Sequence, residues 1–198
     1  MNRTNQTGPD RFTKSNAIEQ KETSIKKLLL YLLLTALIML FIFSQSALPA
    51  NLSEKESGLI TMVLSEYFKK DPSLVSFTVR KCAHFTEYTL LGISLLFTIR
   101  EYFRLQQAGK LFKKKARFPP EGAKQKSGFP FKKKTAAAAW CTGTLYAISD
   151  EFHQIFIPGR SCEVRDILID SLGILTGIVL SMVLGYFIKR IHEKKAFA

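Results

Sequence analysis

The stretch "SDEFHQIFIPGR", residues 149–160, concentrates side chains that can exchange protons or hold a charged ligand. Asp150, His153 and Gln154 are separated by three and four positions, so on a helix they share one face. A carboxylate next to an imidazole can serve as a general acid–base pair. This spacing predicts a polar site at the end of a helix, although it does not by itself establish a reaction.

The residues next to this face allow predictions about the end of the helix and the turn that follows it. Glu151 points off the face of Asp150 and is expected to be solvated. The sequence Pro158-Gly159-Arg160 predicts a turn that ends the helix. Arg160 is predicted to reach back over the acids, where a fixed guanidinium can pair with a carboxylate or bind a phosphate or carboxylate ligand. The competing interpretation of Arg160 is a plain stabilising ion pair.

Two further segments bring ionisable groups with helical spacing. His84 lies three positions before Glu87 and four before Tyr88, so these side chains share a face. Asp166 and Asp170 are four positions apart and also share a face. The three segments are predicted to deliver these groups to one level of a helical bundle.

The face that carries Asp166 and Asp170 continues through Gly173 and Gly177. These two glycines form a GxxxG motif, which lets two membrane helices approach closely. The acids are therefore expected on the side of the helix that packs against its neighbours.

Four apolar segments must position these groups, and each is close to the length of about 20 residues that crosses a hydrocarbon core of ~30 Å. They cover residues 28–47, 83–99, 136–157 and 167–188. Between the first two, Ser53 and Glu56 have the spacing of a capping box, and an amphipathic pattern follows. The predicted fold class is all-α, an integral membrane bundle of four transmembrane helices plus a short amphipathic helix in the outer loop.

The basic residues predict the orientation of this bundle. Of the 29 Lys and Arg residues, 22 lie before the first segment, between the second and third, or after the fourth. Cytoplasmic loops carry such an excess, so the protein is expected in the cell membrane as a multi-pass protein with both termini cytoplasmic. Residues 1–27 are predicted to form a disordered basic cytoplasmic tail, and residues 28–188 the membrane domain. Within that domain, residues 100–134 are predicted to form a basic cytoplasmic loop, and residues 189–198 follow it as a cytoplasmic tail.

The net charge of +13 does not indicate a nucleic-acid-binding protein. Its charges flank the apolar runs, whereas a nucleic-acid interface would gather them on one face. Such flanking charges favour membrane lipids as partners.

Ionisable residues inside a membrane bundle predict a functional site, because lipid rejects them unless they pair or reach water. The alternative is a rim of solvated groups at the helix ends. Neither a metal-ligand motif nor a cofactor motif occurs, so no metal or cofactor is predicted. The candidates for proton transfer are Glu87, Asp150, His153 and Asp170, and those for ligand contact are His84, Tyr88, Glu151, Gln154, Arg160 and Asp166.

Three stretches resemble the VanZ-like family of small bacterial membrane proteins: "FIFSQS", "RKCAHFTEYTLLG" and "SDEFHQIFIPGRSCEVRDILIDSLGILTG". The resemblance covers about residues 28–188 and implies a multi-pass protein of the cell membrane. The family's namesake is linked to low-level resistance to teicoplanin-type glycopeptides. The long basic loop and the extended N-terminal tail depart from the pattern, and the resemblance implies no particular reaction. The matching positions are Lys81, His84, Glu87, Tyr88, Ser149, Asp150, Glu151, His153, Gln154, Pro158, Arg160, Asp166 and Asp170.

Residues and resemblance together predict a membrane protein with an outward-facing polar site. This site is expected to bind or modify a cell-envelope component, such as a lipid-linked or peptidoglycan-derived head group, and to contribute to glycopeptide resistance. The alternative is a non-catalytic protein that alters surface access or assists a partner, with the polar cluster serving as a structural network. Whether the protein is an enzyme stays open at this point.

Overall fold

The computed structural model describes residues 11–115 and 130–196, and the regular structure in these ranges is entirely helical. The all-α prediction is therefore confirmed for this part of the chain. The five helices are α1 (Arg11–Ser46), α2 (Ala50–Phe68), α3 (Pro72–Lys115), α4 (Pro130–Gln154) and α5 (Val164–Ala196).

The four long helices alternate in direction along the chain. Ser46 at the end of α1 bonds to Asp150 near the end of α4, while Lys81 near the start of α3 pairs with Asp166 near the start of α5. The ends of α1 and α4 and the starts of α3 and α5 therefore meet at one end of the bundle. We call this the site end.

The backbones of α3 and α5 approach each other closely, because glycines remove the side chains from the seam. A Cβ placed on Gly177 would lie 2.1 Å from the carbonyl oxygen of Thr89, and one on Gly173 would lie 2.7 Å from that of Phe85. From the other helix, a Cβ on Gly92 would lie 2.3 Å from the carbonyl oxygen of Ile174. The close approach expected from the GxxxG motif is present.

Much of the bundle's outer surface is apolar, as expected of a protein that lies in lipid. Leucines such as Leu29 and Leu40 on α1 and Leu184 on α5 are exposed. Three helices of the described ranges are long and apolar enough to cross a membrane, over Glu22–Ser46, Pro72–Gln107 and Val164–Lys194. The chain thus has the helices of a membrane protein.

The fourth predicted span, residues 136–157, is not among the helices that are long and apolar enough to cross a membrane. Its helix α4 is rich in Ala and Thr and has lysines at one end and Asp150 and Glu151 at the other. Helix α4 also ends at Gln154, so residues 155–157 belong to a turn. The prediction of four transmembrane helices is accordingly reduced to three membrane-crossing candidates in the described ranges.

The predicted helix of the first outer loop is present as α2, but its start differs from the capping-box prediction. It begins at Ala50 after Pro49, without a side-chain capping hydrogen bond. The N–H of Ala50 donates to the carbonyl oxygen of Pro158, which ties α2 to the connection after α4. Residues of its apolar face, including Leu59 and Tyr67, are exposed.

The long helices also extend beyond the apolar segments from which they were predicted. Residues 11–27 of the predicted disordered tail are helical, as are 100–115 and 130–134 of the predicted loop and 189–196 of the final tail. Lys, Arg and Glu are good helix formers, so the end of an apolar run is not the end of a helix. Residues 1–10, 116–129 and 197–198 lie outside the described residues.

The glycine seam generates a stability prediction with a matched control on the same helix. Gly177→Ala would force a methyl group against the backbone of Thr89, and overpacking of this kind typically lowers the free energy of unfolding by about 1–3 kcal/mol. Gly185→Ala meets nothing within 4 Å and should be neutral or stabilising, because Ala favours a helix over Gly. Thermal unfolding in detergent micelles measures both, and equal melting temperatures for the two variants would contradict the packing of α3 on α5.

Candidate functional site

Asp150 lies at the centre of a hydrogen-bond network at the site end. Its Oδ2 accepts hydrogen bonds from Ser46 Oγ at 2.6 Å and Tyr88 Oη at 3.2 Å. The Nε2 of Gln154 lies 3.5 Å from the same oxygen. These partners come from α1, α3 and α4, so one carboxylate, only 2% exposed, connects three helices.

Glu151 is fully buried, with 0% exposure, so the expectation that it is solvated is wrong. It accepts hydrogen bonds from Gln154 Nε2 at 3.0 Å and from the backbone N–H of Glu163 at 3.2 Å. The chain between α4 and α5 folds back over this side of α4. Helical spacing could not indicate that cover, because it comes from residues after the helix has ended.

Arg160 joins the turn after α4 to the end of α1. Its Nε donates to the carbonyl oxygen of Leu48 at 3.0 Å, and its Nη2 donates to that of Gln45 at 3.3 Å. Its Nη1 also donates to Gln154 Oε1 at 3.5 Å. The last carbonyl groups of a helix lack intrahelical partners, and Arg160 supplies one here. The sequence predicts a carboxylate or an anionic ligand as partner, whereas these hydrogen bonds go to main-chain carbonyls and an amide.

The charge of Arg160 nevertheless acts on the acids. Burial and the nearby charge of Arg80 lower the pKa of Arg160, and the carboxylates of Asp150, Glu151 and Glu87 raise it. A guanidinium stays protonated in proteins despite such shifts. Arg160 therefore provides a fixed positive charge within electrostatic reach of three carboxylates.

Asp170 is the carboxylate with the least support from its surroundings. It is 0% exposed, and neither of its oxygens has a hydrogen-bond partner among the described residues. Asp150, Glu151 and Asp166 are the charges that act on it most strongly, followed by Lys81. Buried polar atoms without partners are uncommon in proteins and call for an explanation.

Other unpartnered polar atoms lie in the same cluster. They are Oδ1 of Asp150, Oδ1 of Asp166, and Nδ1 of His84 and of His153, again with respect to the described ranges. The second oxygen of Asp166 pairs with Lys81 Nζ, which joins α5 to α3. The ring of His153 packs against that of Phe43, with centroids 4.6 Å apart.

The structure thus brings most of the predicted site residues together. Tyr88, Asp150, Glu151, Gln154 and Arg160 share one connected network. Glu87 is half-buried, and the charged groups that act on it are Asp150 and Arg160. The charged groups that act on His84 are Arg160, Asp150, Lys81 and Asp166. His153 is directed toward α1 by its contact with Phe43.

Sequence reasoning missed two side chains and one backbone group as members of the site. Ser46 lies in the stretch "FIFSQS" but has no helical spacing to another candidate. Lys81 lies three positions before His84 and is one of the positions that match the family pattern, so helical spacing could have indicated it. The N–H of Glu163 has no signal in sequence. No group of three or more His, Cys, Asp or Glu side chains in the described ranges is arranged to hold a metal ion.

Fold and site define a helical membrane protein with a network of buried carboxylates at one end of its bundle. The sequence model of the VanZ/LLP1 family matches residues 28–185, which is most of the chain. The protein therefore belongs to the VanZ/LLP1 family. Searches of curated proteins and of solved structures found no match.

The contacts of Arg160 generate a prediction about the stability of the site end. Arg160→Lys should lower the free energy of unfolding by about 1.5–3 kcal/mol, the range for hydrogen bonds made by charged groups. An ammonium cannot reproduce the planar fork that spans Leu48, Gln45 and Gln154. Arg190→Lys, on the exposed last turns of α5, is the matched control, and thermal unfolding in detergent compares the two. If both variants melt like the wild type, Arg160 does not secure the end of α1.

Proposed function

We propose that the polar cluster binds the head group of a cell-envelope component, lipid-linked or peptidoglycan-derived, and thereby contributes to resistance against teicoplanin-type glycopeptides. The observation that carries this proposal is Asp170, fully buried with both oxygens unpartnered in the described part of the chain. A carboxylate accepts hydrogen bonds and donates none when ionised. The cluster therefore suits a ligand rich in hydroxyl and amide donors, as sugar and peptide head groups are.

The position of Asp170 also suits a ligand that enters from the site end. Asp166 lies one turn closer to the start of α5, and its side chain is 16% exposed. An entering head group meets Asp166 first and Asp170 afterwards. In this proposal Glu87, Asp150, His153 and Asp170 accept or transfer protons, and the surrounding ligand contacts are His84, Tyr88, Glu151, Gln154, Arg160 and Asp166.

Membership of the VanZ/LLP1 family supports the link to glycopeptide resistance. Binding of a peptidoglycan-derived group would act on the same class of molecules that glycopeptides recognise. Catalysis is not needed for this effect, because a bound head group is already withdrawn from other partners.

The proposal includes a topology in which four helices cross the membrane and both termini are cytoplasmic. The alternating directions of α1, α3, α4 and α5 support it, as does the excess of Lys and Arg at the opposite end from the site. Helix α4 has 25 residues, or about 37 Å at 1.5 Å per residue, which is long enough to cross. Its polar side chains bond to neighbours, with Tyr146 donating to the carbonyl of Met39 and Trp140 to Ser171.

A second candidate function is that of a non-catalytic protein that alters surface access or assists a partner. The hydrogen bonds of Asp150 to side chains from α1, α3 and α4 favour it, as do those of Arg160 to the carbonyls of Gln45 in the last turn of α1 and of Leu48 just after it. In this case the network fixes the helices, and Asp170 contributes through its electrostatic interaction with Lys81.

Asp170→Asn separates the two candidates, because it keeps the size of the side chain and changes its charge and donors. A glycopeptide-sensitive host would express the wild type, Asp170→Asn or the control Asp71→Asn, an exposed site where Asn can still cap α3. Teicoplanin susceptibility is measured together with the amount of folded protein in the membrane. We expect wild type and Asp71→Asn to protect, and Asp170→Asn to accumulate equally while its protection falls to that of the empty host.

The other outcomes have definite meanings. Loss of folded protein with Asp170→Asn would favour the structural network. A wild type that gives no protection would show that the resistance role does not apply to this protein.

Reporter fusions test the topology, including the crossing by α4. We expect green fluorescent protein fused after Ala198 to fluoresce and alkaline phosphatase fused there to be inactive, because the C-terminus is proposed to be cytoplasmic. Alkaline phosphatase fused after Cys162, between α4 and α5, should be active. An inactive fusion at Cys162 would mean that α4 does not cross.

A further inference from the structure

A groove next to the carboxylate cluster lies between residues 77–86 of α3 and the first turns of α5. Past the glycine seam the two helices leave a space of about 440 Å³ toward their starting residues. This volume is within the range of small-molecule sites in proteins. Residues on its walls include Phe77, Lys81, Phe85, Thr86, Arg165 and Ile169.

The mouth of the groove holds two cations against one aromatic ring. Lys81 Nζ and Arg165 Cζ each lie 5.2 Å from the centroid of the Phe77 ring, inside the distance of about 6 Å at which a cation is attracted to a ring face. The ring therefore holds both cations at the groove, where each can contact an anion.

Both cations already have acidic neighbours, and both have further donors. Lys81 pairs with Asp166, and Arg165 pairs with Glu163 at 2.7 Å, with 59% of the arginine side chain exposed. An ammonium carries three donors and a guanidinium five, so a phosphate can bind beside the existing carboxylates. Arg80, on the same turn of α3 as Lys81, adds positive charge to this end of the helix.

The walls below the mouth are apolar. Phe85 is one turn beyond Lys81 on α3, and Ile169 is one turn beyond Arg165 on α5. Both helices run from here into the segments that are apolar enough to cross a membrane. The groove therefore has positive charge at its mouth and an apolar surface at greater depth. This arrangement is complementary to an anionic amphiphile, whose charged head would contact the mouth and whose apolar tail would contact the walls.

We infer that this groove binds an anionic phospholipid, with its phosphate between Lys81 and Arg165 and an acyl chain along Phe85 and Ile169. Inorganic phosphate would use the mouth alone, and a lipid without net charge would use the walls alone. The inference does not rest on the proposed head-group site, because Phe77, Phe85, Arg165 and Ile169 take no part in that site. Lys81 is the residue that borders both, through its pair with Asp166.

Native mass spectrometry of the purified full-length protein in detergent tests the inference. Phosphatidylglycerol is the anionic probe, phosphatidylethanolamine the zwitterionic comparison, and inorganic phosphate a competitor. We expect one phosphatidylglycerol to be retained in preference to phosphatidylethanolamine. Arg165→Gln should weaken its binding by roughly tenfold, as expected for a lost charge-assisted hydrogen bond.

Two further variants make the test specific. Arg190→Gln makes the same change on the exposed far end of α5 and should leave the affinity unchanged within about twofold. Thr86→Trp fills the groove without changing charge and should also reduce phosphatidylglycerol binding. Arg165 and Thr86 are both exposed, so Arg165→Gln and Thr86→Trp should both melt near the wild-type temperature.

The inference is overturned by any of three results. Equal binding by Arg165→Gln and Arg190→Gln would show that the mouth does not select the lipid. Equal retention of the two phospholipids would show that charge does not matter. Displacement by inorganic phosphate, with binding that Thr86→Trp leaves intact, would show that the site recognises phosphate and not a lipid.

Discussion

The close contact between the backbones of α3 and α5 is the constraint on which the rest of the structure depends. Lipid supplies no hydrophobic force between helices, so their association relies on packing and on interhelical hydrogen bonds. Gly92, Gly173 and Gly177 allow that packing by leaving room for the carbonyl groups of the other helix. The register set by these glycines pairs Lys81 with Asp166 and places Asp170 inside the bundle.

Burial of several carboxylates at one end of such a bundle opposes folding, because each loses its contact with water. The protein offsets part of this free energy with donors from other elements. Ser46 and Tyr88 donate to Asp150, and the backbone of Glu163 donates to Glu151. Asp170 receives no such donor within the described residues. Stability alone gives no reason to keep an acid there, since an apolar side chain would suit the position better, and this is why Asp170 is central to the proposed function.

The turn after α4 organises the remaining parts of the site end. Arg160 connects it to the end of α1, and the carbonyl of Pro158 connects it to the start of α2. Charged and polar groups in this turn therefore act on helices that are distant in sequence. Lys81 lines the groove between α3 and α5 and pairs with Asp166 of the carboxylate cluster, so the two proposed sites meet at this ion pair.

The sequence by itself determined the helical class, the close approach at the GxxxG motif and the meeting of Tyr88, Asp150 and Gln154 at one level. These follow from the repeat of the helix and from apolar length, which are local properties. Only the tertiary structure decided that Glu151 is buried, that Arg160 binds carbonyl groups at the end of α1, and that Ser46 and Lys81 join the site. Helical spacing gives the direction of a side chain on its own helix, whereas its burial and partners depend on which distant segment covers that face. Ser46 and Asp150 are 104 positions apart in the chain and 2.6 Å apart in the fold.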